Sequence, residues 1–290
     1  MNALKIPLIT DIERFSVKNG NGIRTTVFLK GCPLRCLWCH NPETILPTRQ
    51  LLYHATKCIG CGACAAVCPK GCHTEEHTFN RTNCINCMQC ATVCPTGALT
   101  PSGYRLSPQE LVSRLMRDLP FYGSSGGVTF SGGEPLLYPR YIAACARLLH
   151  VPTRYIDTCG AVPPEHIYFI KPYTDLLLFD IKDTDGERLL RNTGADLDII
   201  LRNLEYADDL GIPTRLRLPI IAGINDNEVH IRAVRDLLRR LRHCIGADIL
   251  PYHPYMASKY HALGLVCGIL SDSYIPKTET LARLREILDN

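Results

Sequence analysis

The run Gly31-Cys32-Pro33-Leu34-Arg35-Cys36-Leu37-Trp38-Cys39, met directly after the β-branched stretch Thr25 to Leu29, decides how the rest of the chain is read. Its Cys-x3-Cys-x2-Cys spacing supplies three thiolates to a four-iron cluster and leaves one iron without a protein ligand. An open iron is a place for chemistry, whereas a closed one only carries electrons. Downstream, Cys58, Cys61, Cys64, Cys68 and then Cys84, Cys87, Cys90, Cys94 each read Cys-x2-Cys-x2-Cys-x3-Cys-Pro. In that spacing the fourth thiolate of each run serves the cluster of the other. Cys58, Cys61, Cys64 and Cys94 are therefore expected to hold one cluster, and Cys84, Cys87, Cys90 and Cys68 another, giving three [4Fe-4S] clusters in all.

Composition supports metal over disulfides for the sixteen cysteines. A chain of 290 residues is long for a disulfide scaffold, and the opening MNALKIPLIT has no apolar run of secretory length behind a basic end. A reducing cytoplasm is the expected compartment. No segment approaches the roughly 20 consecutive apolar residues of a membrane helix. The net charge of +4, with both signs interspersed, gives no nucleic-acid footprint. The most basic stretch, Arg232 to Arg242, reads as a solvated helix face. Neither a nucleic acid nor a membrane is expected as partner, and a monomer is expected. At 46% hydrophobic content the chain can bury one large core and a small satellite.

Outside the cysteine-rich part, short apolar runs alternate with helical patterns. Strands are expected at Thr25 to Leu29, Val128 to Phe130, Thr153 to Asp157, Leu176 to Asp180, Thr214 to Leu218 and Ala247 to Leu250. Helices between six strands indicate parallel βα units, as a barrel or an open barrel. Ser107-Pro108-Gln109-Glu110 reads as a capping box opening a helix through Leu119. Asp196 to Leu210 is closed by Gly211, Asn225 or Asp226 caps a stretch through His243, and Thr278 to Leu288 is the last helical pattern. Residues 50–101 break the alternation with two similar halves rich in Cys, Gly, Pro and Asn. They read as a two-cluster ferredoxin module, too poor in apolar residues to fold without its clusters as staples.

In a parallel barrel the chemistry gathers at the C-terminal ends of the strands. Cys32 follows the first strand, Gly132-Gly133-Glu134 the second, and Asp157 ends the third. Asp180 ends the fourth with Lys182 just beyond, Arg217 lies near the end of the fifth, and His253 follows the sixth.

On these residues the chain resembles the radical S-adenosylmethionine superfamily, through Cys32, Cys36, Cys39 and Ser131-Gly132-Gly133-Glu134-Pro135. More narrowly, Gly22-Ile23-Arg24-Thr25, Trp38-Cys39-His40-Asn41-Pro42-Glu43, Tyr122 through Pro135, Asp157-Thr158, Asp180-Ile181-Lys182 and Leu250-Pro251-Tyr252-His253 resemble the activating enzymes of glycyl radical enzymes. The insert is similar to the subset of that family with two extra clusters.

The resemblance implies an α/β fold, a partial (β/α)6 TIM-like barrel from residues 1–49 and 102–290, with residues 50–101 as an inserted ferredoxin-like 2[4Fe-4S] domain. It implies reductive cleavage of S-adenosylmethionine to a 5'-deoxyadenosyl radical, which takes hydrogen from a glycine in the loop of a partner glycyl radical enzyme. A flavodoxin or ferredoxin would donate the electron.

Cys32, Cys36 and Cys39 would hold the catalytic cluster. Gly132 and Gly133, lacking Cβ, let backbone approach the cofactor closely and offer it carbonyls, with Glu134 beside them. Asp180, Lys182, Arg217 and His253 are candidates for contacts to the cofactor. Trp38 and His40 line its adenine side or pack to exclude water. Asp157 and Thr158 resemble a site for a monovalent cation.

The remaining Cys72, Cys145, Cys159, Cys244 and Cys267 read as small apolar residues. Cys72 lies close enough in sequence to Cys68 for ligand exchange. Two departures stand out: Asn19-Gly20-Asn21-Gly22 replaces Asp-Gly-Pro-Gly, and Cys159 stands where asparagine or serine is common in relatives. The rival readings are a radical enzyme acting on a small molecule or RNA, and a multi-cluster electron-transfer protein that leaves S-adenosylmethionine intact.

Overall fold

The computed structural model describes residues 4–74 and 78–290; the sequence-drawn segments 1–49 and 50–101 each include a few residues outside those bounds. The chain opens with an antiparallel pair, β1 (Ile9–Ser16) and β2 (Arg24–Leu29). The cysteine-rich part follows: β3 (Leu51–Tyr53), the short helices α1 (Ala63–Val67) and α2 (Gln89–Val93), and β4 (Leu99–Pro101). Beyond it, α3 (Pro108–Leu115), β5 (Gly127–Gly132), α4 (Pro139–Ala146), β6 (Thr153–Thr158), α5 (Pro164–Ile170) and β7 (Leu176–Asp180) alternate. After α6 (Gly186–Thr193) and α7 (Leu197–Asp209) come β8 (Thr214–Ile220), α8 (Glu228–Arg240) and β9 (Cys244–Pro251), then α9 (Ala257–Leu263) and α10 (Thr278–Asp289).

Seven strands form one sheet in the order β1-β2-β5-β6-β7-β8-β9, parallel from β2 onward and open between β1 and β9. This is the mostly parallel α/β sheet expected. The strand list drawn from sequence lacked β1, whose polar residues hide its edge position, and the three-residue strands β3 and β4.

Period-two alternation decides which face does what. In β5, Val128 and Phe130 face the helical layer, where they pack with Leu111, Leu115, Tyr141 and Ile142. In β8, Leu216 and Leu218 pack with Leu189, Leu204, Ile231 and Val234 of the helices. The alternate residues, Thr129 and Ser131, Tyr155 and Asp157, Asp180, Arg215 and Arg217, turn to the opposite, inner face. A run of alternating charge and leucine such as Thr-Arg-Leu-Arg-Leu-Pro-Ile thus builds a polar lumen and an apolar outer wall at once.

The lumen is stoppered at its N-terminal end by Arg24, which is fully buried. Its guanidinium lies 3.6 Å from the centroid of the Tyr155 ring. It donates to Thr129 Oγ1 (2.7 Å), the Val128 carbonyl (2.8 Å), Thr153 Oγ1 (2.8 Å) and the Asn21 carbonyl (3.1 Å).

The helix caps follow the sequence signals with two differences. The capping box at Ser107 and Glu110 forms, but the helix tightens to 3-10 geometry at Met116–Phe121, where Pro120 withholds an amide donor. Asn227, not Asn225 or Asp226, caps α8, its side chain accepting from the His230 amide. Asn225 is instead fully buried, taking the Ile221 amide (2.7 Å) and donating to the Lys182 and Pro219 carbonyls. Helices α4, α5 and α6 fill connections between strands where the alternation implies a helix without fixing its bounds, and α9, beyond the last strand, has no counterpart in the sequence reading. Among the described residues no helix is long and apolar enough to cross a membrane.

The cysteine-rich part leaves and rejoins the sheet domain through one stem. In it β3 and β4 pair antiparallel from Leu51↔Pro101 to Tyr53↔Leu99, and Gln50 and Ser102 close its base.

Candidate active site

The loop after β2 is hung on backbone. Gly31 and Cys32 donate to the Thr44 and Ile45 carbonyls (2.6 and 2.9 Å), and Arg35 and Leu37 to the Thr193 and Asn192 carbonyls at the end of α6. The Gly133 amide reaches the Leu29 carbonyl (2.8 Å), and the Glu134 amide that of Gly31 (2.7 Å). A Cβ on Gly132 would lie 2.3 Å from the Leu29 backbone, and one on Gly133 2.2 Å from the Gly31 carbonyl oxygen. The space that needs these glycines is filled by the chain's own cluster loop. Their first task is to let two backbones meet there.

Within that loop the thiols of Cys32, Cys36 and Cys39 converge closely enough to act on one another electrostatically, with the Lys182 ammonium beside them. Burial pushes Cys36 up to about 11 and Cys39 up to about 12. Buried thiolates need a cation, and iron supplies one when it replaces the protons. No three His, Cys, Asp or Glu side chains among the described residues stand as a single-ion site. The fit to a cluster rests on this all-sulfur donor set around a shared space.

The lumen floor facing the thiols carries two carboxylate pairs. Arg217 Nη1 lies 3.0 Å from Asp157 Oδ2, which also accepts from Ser131 Oγ at 2.7 Å. Lys182 Nζ lies 2.7 Å from Asp180 Oδ2. Burial alone would lower the lysine's pKa, but Asp180 and the adjacent Cys36 overcome it and hold the ammonium charged well above its ordinary range. Asn19 enters the same space, its carbonyl accepting from Thr129 Oγ1 (2.8 Å) and its side chain reaching Thr26 Oγ1 (3.1 Å) and Arg217 (3.4 Å).

On the far side the His40 and His253 rings meet at 4.3 Å between centroids, their planes tilted by 38°, with Tyr255 outside His253 at 4.4 Å. Burial, with His253 as neighbour, pushes His40 down to about 4, so it is neutral at neutral pH. Trp38 is buried among Ile221, Tyr252, Met256 and Tyr260. Three buried polar atoms around this space have no partner: Trp38 Nε1, Asp157 Oδ1 and His253 Nδ1. Buried polar groups are ordinarily satisfied. A ligand carrying both charge and heteroaromatic nitrogen fits such an unfilled set, as S-adenosylmethionine does.

Several residues stand differently from the sequence reading. The Glu134 carboxylate is fully buried and bound within the chain, accepting from the Leu136 amide (2.9 Å), Thr158 Oγ1 (2.9 Å) and the Cys159 amide (2.8 Å). It braces the end of β5 to the end of β6, and the Thr158 hydroxyl is one of the groups that hold it there.

Of the spare cysteines, Cys72, Cys145, Cys159 and Cys267 are buried, and Cys159 and Cys267 pack in apolar clusters against which Cys36 also lies. The Cys72 backbone amide donates to Cys68 Sγ (3.2 Å), and Cys267 Sγ to the Leu37 carbonyl (3.4 Å).

In the cysteine-rich part, Cys58, Cys61, Cys64 and Cys94 line one hollow with Tyr53 and His73. Cys68, Cys84, Cys87 and Cys90 line a second, with Cys72 as a fifth thiol. This part touches the active site through α9. Arg81 donates to the Leu51 and Ala262 carbonyls, while Lys259 of the same helix donates to Asn41 (2.6 Å) and Glu43 (2.7 Å), just beyond Cys39.

Comparison with known proteins agrees with this geometry. Residues 26–234 match the Radical SAM superfamily. The choline trimethylamine-lyase activating enzyme of Oleidesulfovibrio alaskensis is 38% identical, the match covering 95% of this chain and 94% of that protein. The benzylsuccinate synthase activating enzyme of Thauera aromatica is 39% identical, covering 90% and 83%. Among solved structures, Streptococcus suis SuiB bound to precursor peptide SuiA shares the fold at a TM-score of 0.50 and 14% identity, over 64% of this chain and 39% of that one. With a polar lumen, a three-cysteine loop at its C-terminal rim and these relatives along nearly its whole length, the chain belongs to the radical S-adenosylmethionine superfamily, among the activating enzymes of glycyl radical enzymes.

Proposed function

We propose that this protein installs a glycyl radical in a partner enzyme, and that three iron–sulfur clusters serve the task. The observation that carries the reading is the convergence of Cys32, Cys36 and Cys39 beside Lys182 at the C-terminal rim of a parallel sheet. The cluster at these thiols, when bound and reduced, supplies the electron that cleaves S-adenosylmethionine to methionine and a 5'-deoxyadenosyl radical, which takes hydrogen from the partner's glycine.

The chain's own residues do the positioning. Asp180, Lys182 and Arg217 provide charge of both signs for the amino acid part of S-adenosylmethionine, and Trp38, His40 and His253 provide aromatic faces and nitrogens for its adenosine. Hydrogen-atom transfer needs no general acid or base. The electrically neutral His40 and the internally bound Glu134 agree with that. A monovalent cation beside the unpartnered Asp157 Oδ1 belongs to the same reading. The open side of the sheet is the proposed entry for the partner's glycine loop.

The two cysteine-lined hollows support two further [4Fe-4S] clusters in a ferredoxin-like insert, with the ligand exchange between runs that the spacing predicts. We assign them to electron relay from a flavodoxin or ferredoxin, through α9, in a reducing cytoplasm.

The test is anaerobic. Protein reconstituted with iron and sulfide is incubated with dithionite, S-adenosylmethionine and a panel of candidate glycyl radical enzymes, followed by EPR and a 5'-deoxyadenosine assay. A glycine-centred doublet with matching deoxyadenosine is expected, and loss of both in Cys36→Ala. Deoxyadenosine without any protein radical would favour a small-molecule substrate; no cleavage by fully loaded protein would leave only electron transfer.

A further inference from the structure

The strand end that carries Lys182 is held by a side chain and not by the sheet. The backbone ladder between β7 and β8 reaches the bond from the Ile181 amide to the Arg217 carbonyl (2.9 Å). In a parallel pair the next donor up would be the amide of Pro219, and proline has none to give. Lys182 therefore stands one residue beyond the last ladder bond, where a strand end is free to swing.

Asn225 fills that missing rung. It is fully buried between the loops that follow β7 and β8, and its side chain is bonded at both ends. Oδ1 accepts from the Ile221 amide (2.7 Å) and closes its own turn. Both Nδ2 protons point across the gap, one to the Pro219 carbonyl on β8 (2.7 Å) and one to the Lys182 carbonyl beyond β7 (2.8 Å). A residue that only closed its own turn would have no call for the second reach. Farther along the same loop, Thr184 Oγ1 meets Nδ1 of His230 on α8 (3.0 Å), so the segment after Lys182 is tied to the same neighbour.

We propose that Asn225 is a positioning residue for the Asp180 and Lys182 pair: by bonding the Lys182 carbonyl to β8 it fixes where the ammonium stands, and with it the affinity for S-adenosylmethionine. The inference rests on the reading of Asp180 and Lys182 as cofactor contacts. A lysine stem is long and flexible, so the place of its charge depends on where the backbone starts and on the partner it meets. Here the partner is Asp180 Oδ2 at 2.7 Å, and the start is set by Asn225. Binding groups keep their geometry only when the residues behind them are themselves held by hydrogen bonds.

The experiment measures binding of labelled S-adenosylmethionine by equilibrium dialysis to iron-reconstituted protein without reductant, so that no cleavage occurs. A double-mutant cycle compares wild type, Asn225→Ala, the pair variant Asp180→Asn with Lys182→Met, and the combination of all these substitutions, with iron content and denaturation midpoint read on each. Asn225→Ala is expected to weaken binding by about tenfold, the scale on which outer partners tune a binding group. In the pair variant, already weakened, the same substitution is expected to change the affinity no further. Equal weakening in both backgrounds, or none in either, would overturn the proposal and leave Asn225 as a closer of its own turn. If Asn225→Ala does not fold, Asn225→Ser decides by the same comparison. A pair variant that binds as tightly as wild type would instead reject Asp180 and Lys182 as cofactor contacts, the reading on which the inference depends.

Discussion

Lys182 and Asp180 face each other across 2.7 Å on the lumen floor, while the carbonyl of the same lysine is held from behind by Asn225. The pair is therefore fixed at both its charge and its backbone. Lys182→Met leaves a carboxylate largely out of water without its counterion, a loss of about 3 kcal/mol of stability. Asp180→Asn combined with Lys182→Met removes both charges and is expected to restore most of the stability but none of the S-adenosylmethionine cleavage. Chemical denaturation and a deoxyadenosine assay on the same samples check it; recovery of cleavage in the double variant would show that the pair is structural only.

Arg24 is the stopper of the lumen, and its planar fork reaches six acceptors while its face covers Tyr155. Lysine keeps the charge but not the fork. Arg24→Lys should cost about 1–3 kcal/mol through unsatisfied buried acceptors, read as a lower denaturation midpoint. An unchanged midpoint would mean that water enters and replaces the lost donors.

Gly133→Ala places a methyl group 2.2 Å from the Gly31 carbonyl, with the Thr44 carbonyl at 2.8 Å as a second obstacle. Backbone on both sides has to move, at a cost of about 2–3 kcal/mol typical of overpacking. Because the displaced backbone leads into Cys32, iron retention should fall along with stability. Full iron occupancy in this variant would show that the cluster loop is more pliant than its hydrogen bonds imply.

His230 is fully buried, with Nδ1 on Thr184 Oγ1 (3.0 Å) and Nε2 unpartnered. Burial pushes its pKa down to about 4 from 6.5, Asp183 pulling against this and Arg188 reinforcing it. The unfolded chain thus takes up a proton below pH 6.5 that the folded chain refuses until about pH 4. Stability is full above 6.5 and falls with acid, by about 1.4 kcal/mol per pH unit from this one group. His230→Gln should flatten the stability profile between about pH 4 and 6.5 by about that slope. A variant with the wild-type profile would refute the buried neutral histidine.

Much of this architecture is legible in the sequence, for reasons that differ from residue to residue. The six parallel strands announce themselves because apolar runs facing a helical layer must be β-branched or leucine-rich, and the caps at Ser107 and Asp196 because they carry their own hydrogen-bonding chemistry. β1 escapes because an edge strand half in water has no such run. Asn225 was misread for a different reason: a side chain that builds a cap and one that ties a loop from inside look alike in one dimension, and only burial separates them. The same holds for Glu134, whose motif position points to a ligand while its three internal donors make it a brace. That Cys159 and Cys32 pack together is equally hidden, because more than a hundred residues separate the two and only the sheet brings them into one cluster.

The stem of β3 and β4 ends where Gln50 and Ser102 bond each other, so the whole cysteine-rich part hangs from the sheet domain at a single closed junction. Seen from the sheet, half a hundred residues are equivalent to one short hairpin. Such a junction makes the part exchangeable: its length, its halves and even its presence can vary while strand order and lumen stay as they are. What constrains it is the other contact, Arg81 on the carbonyl of Ala262, because that helix also anchors Asn41 and Glu43. Grafting an alternative part onto this scaffold is therefore a problem of matching one helix face, not of rebuilding a domain.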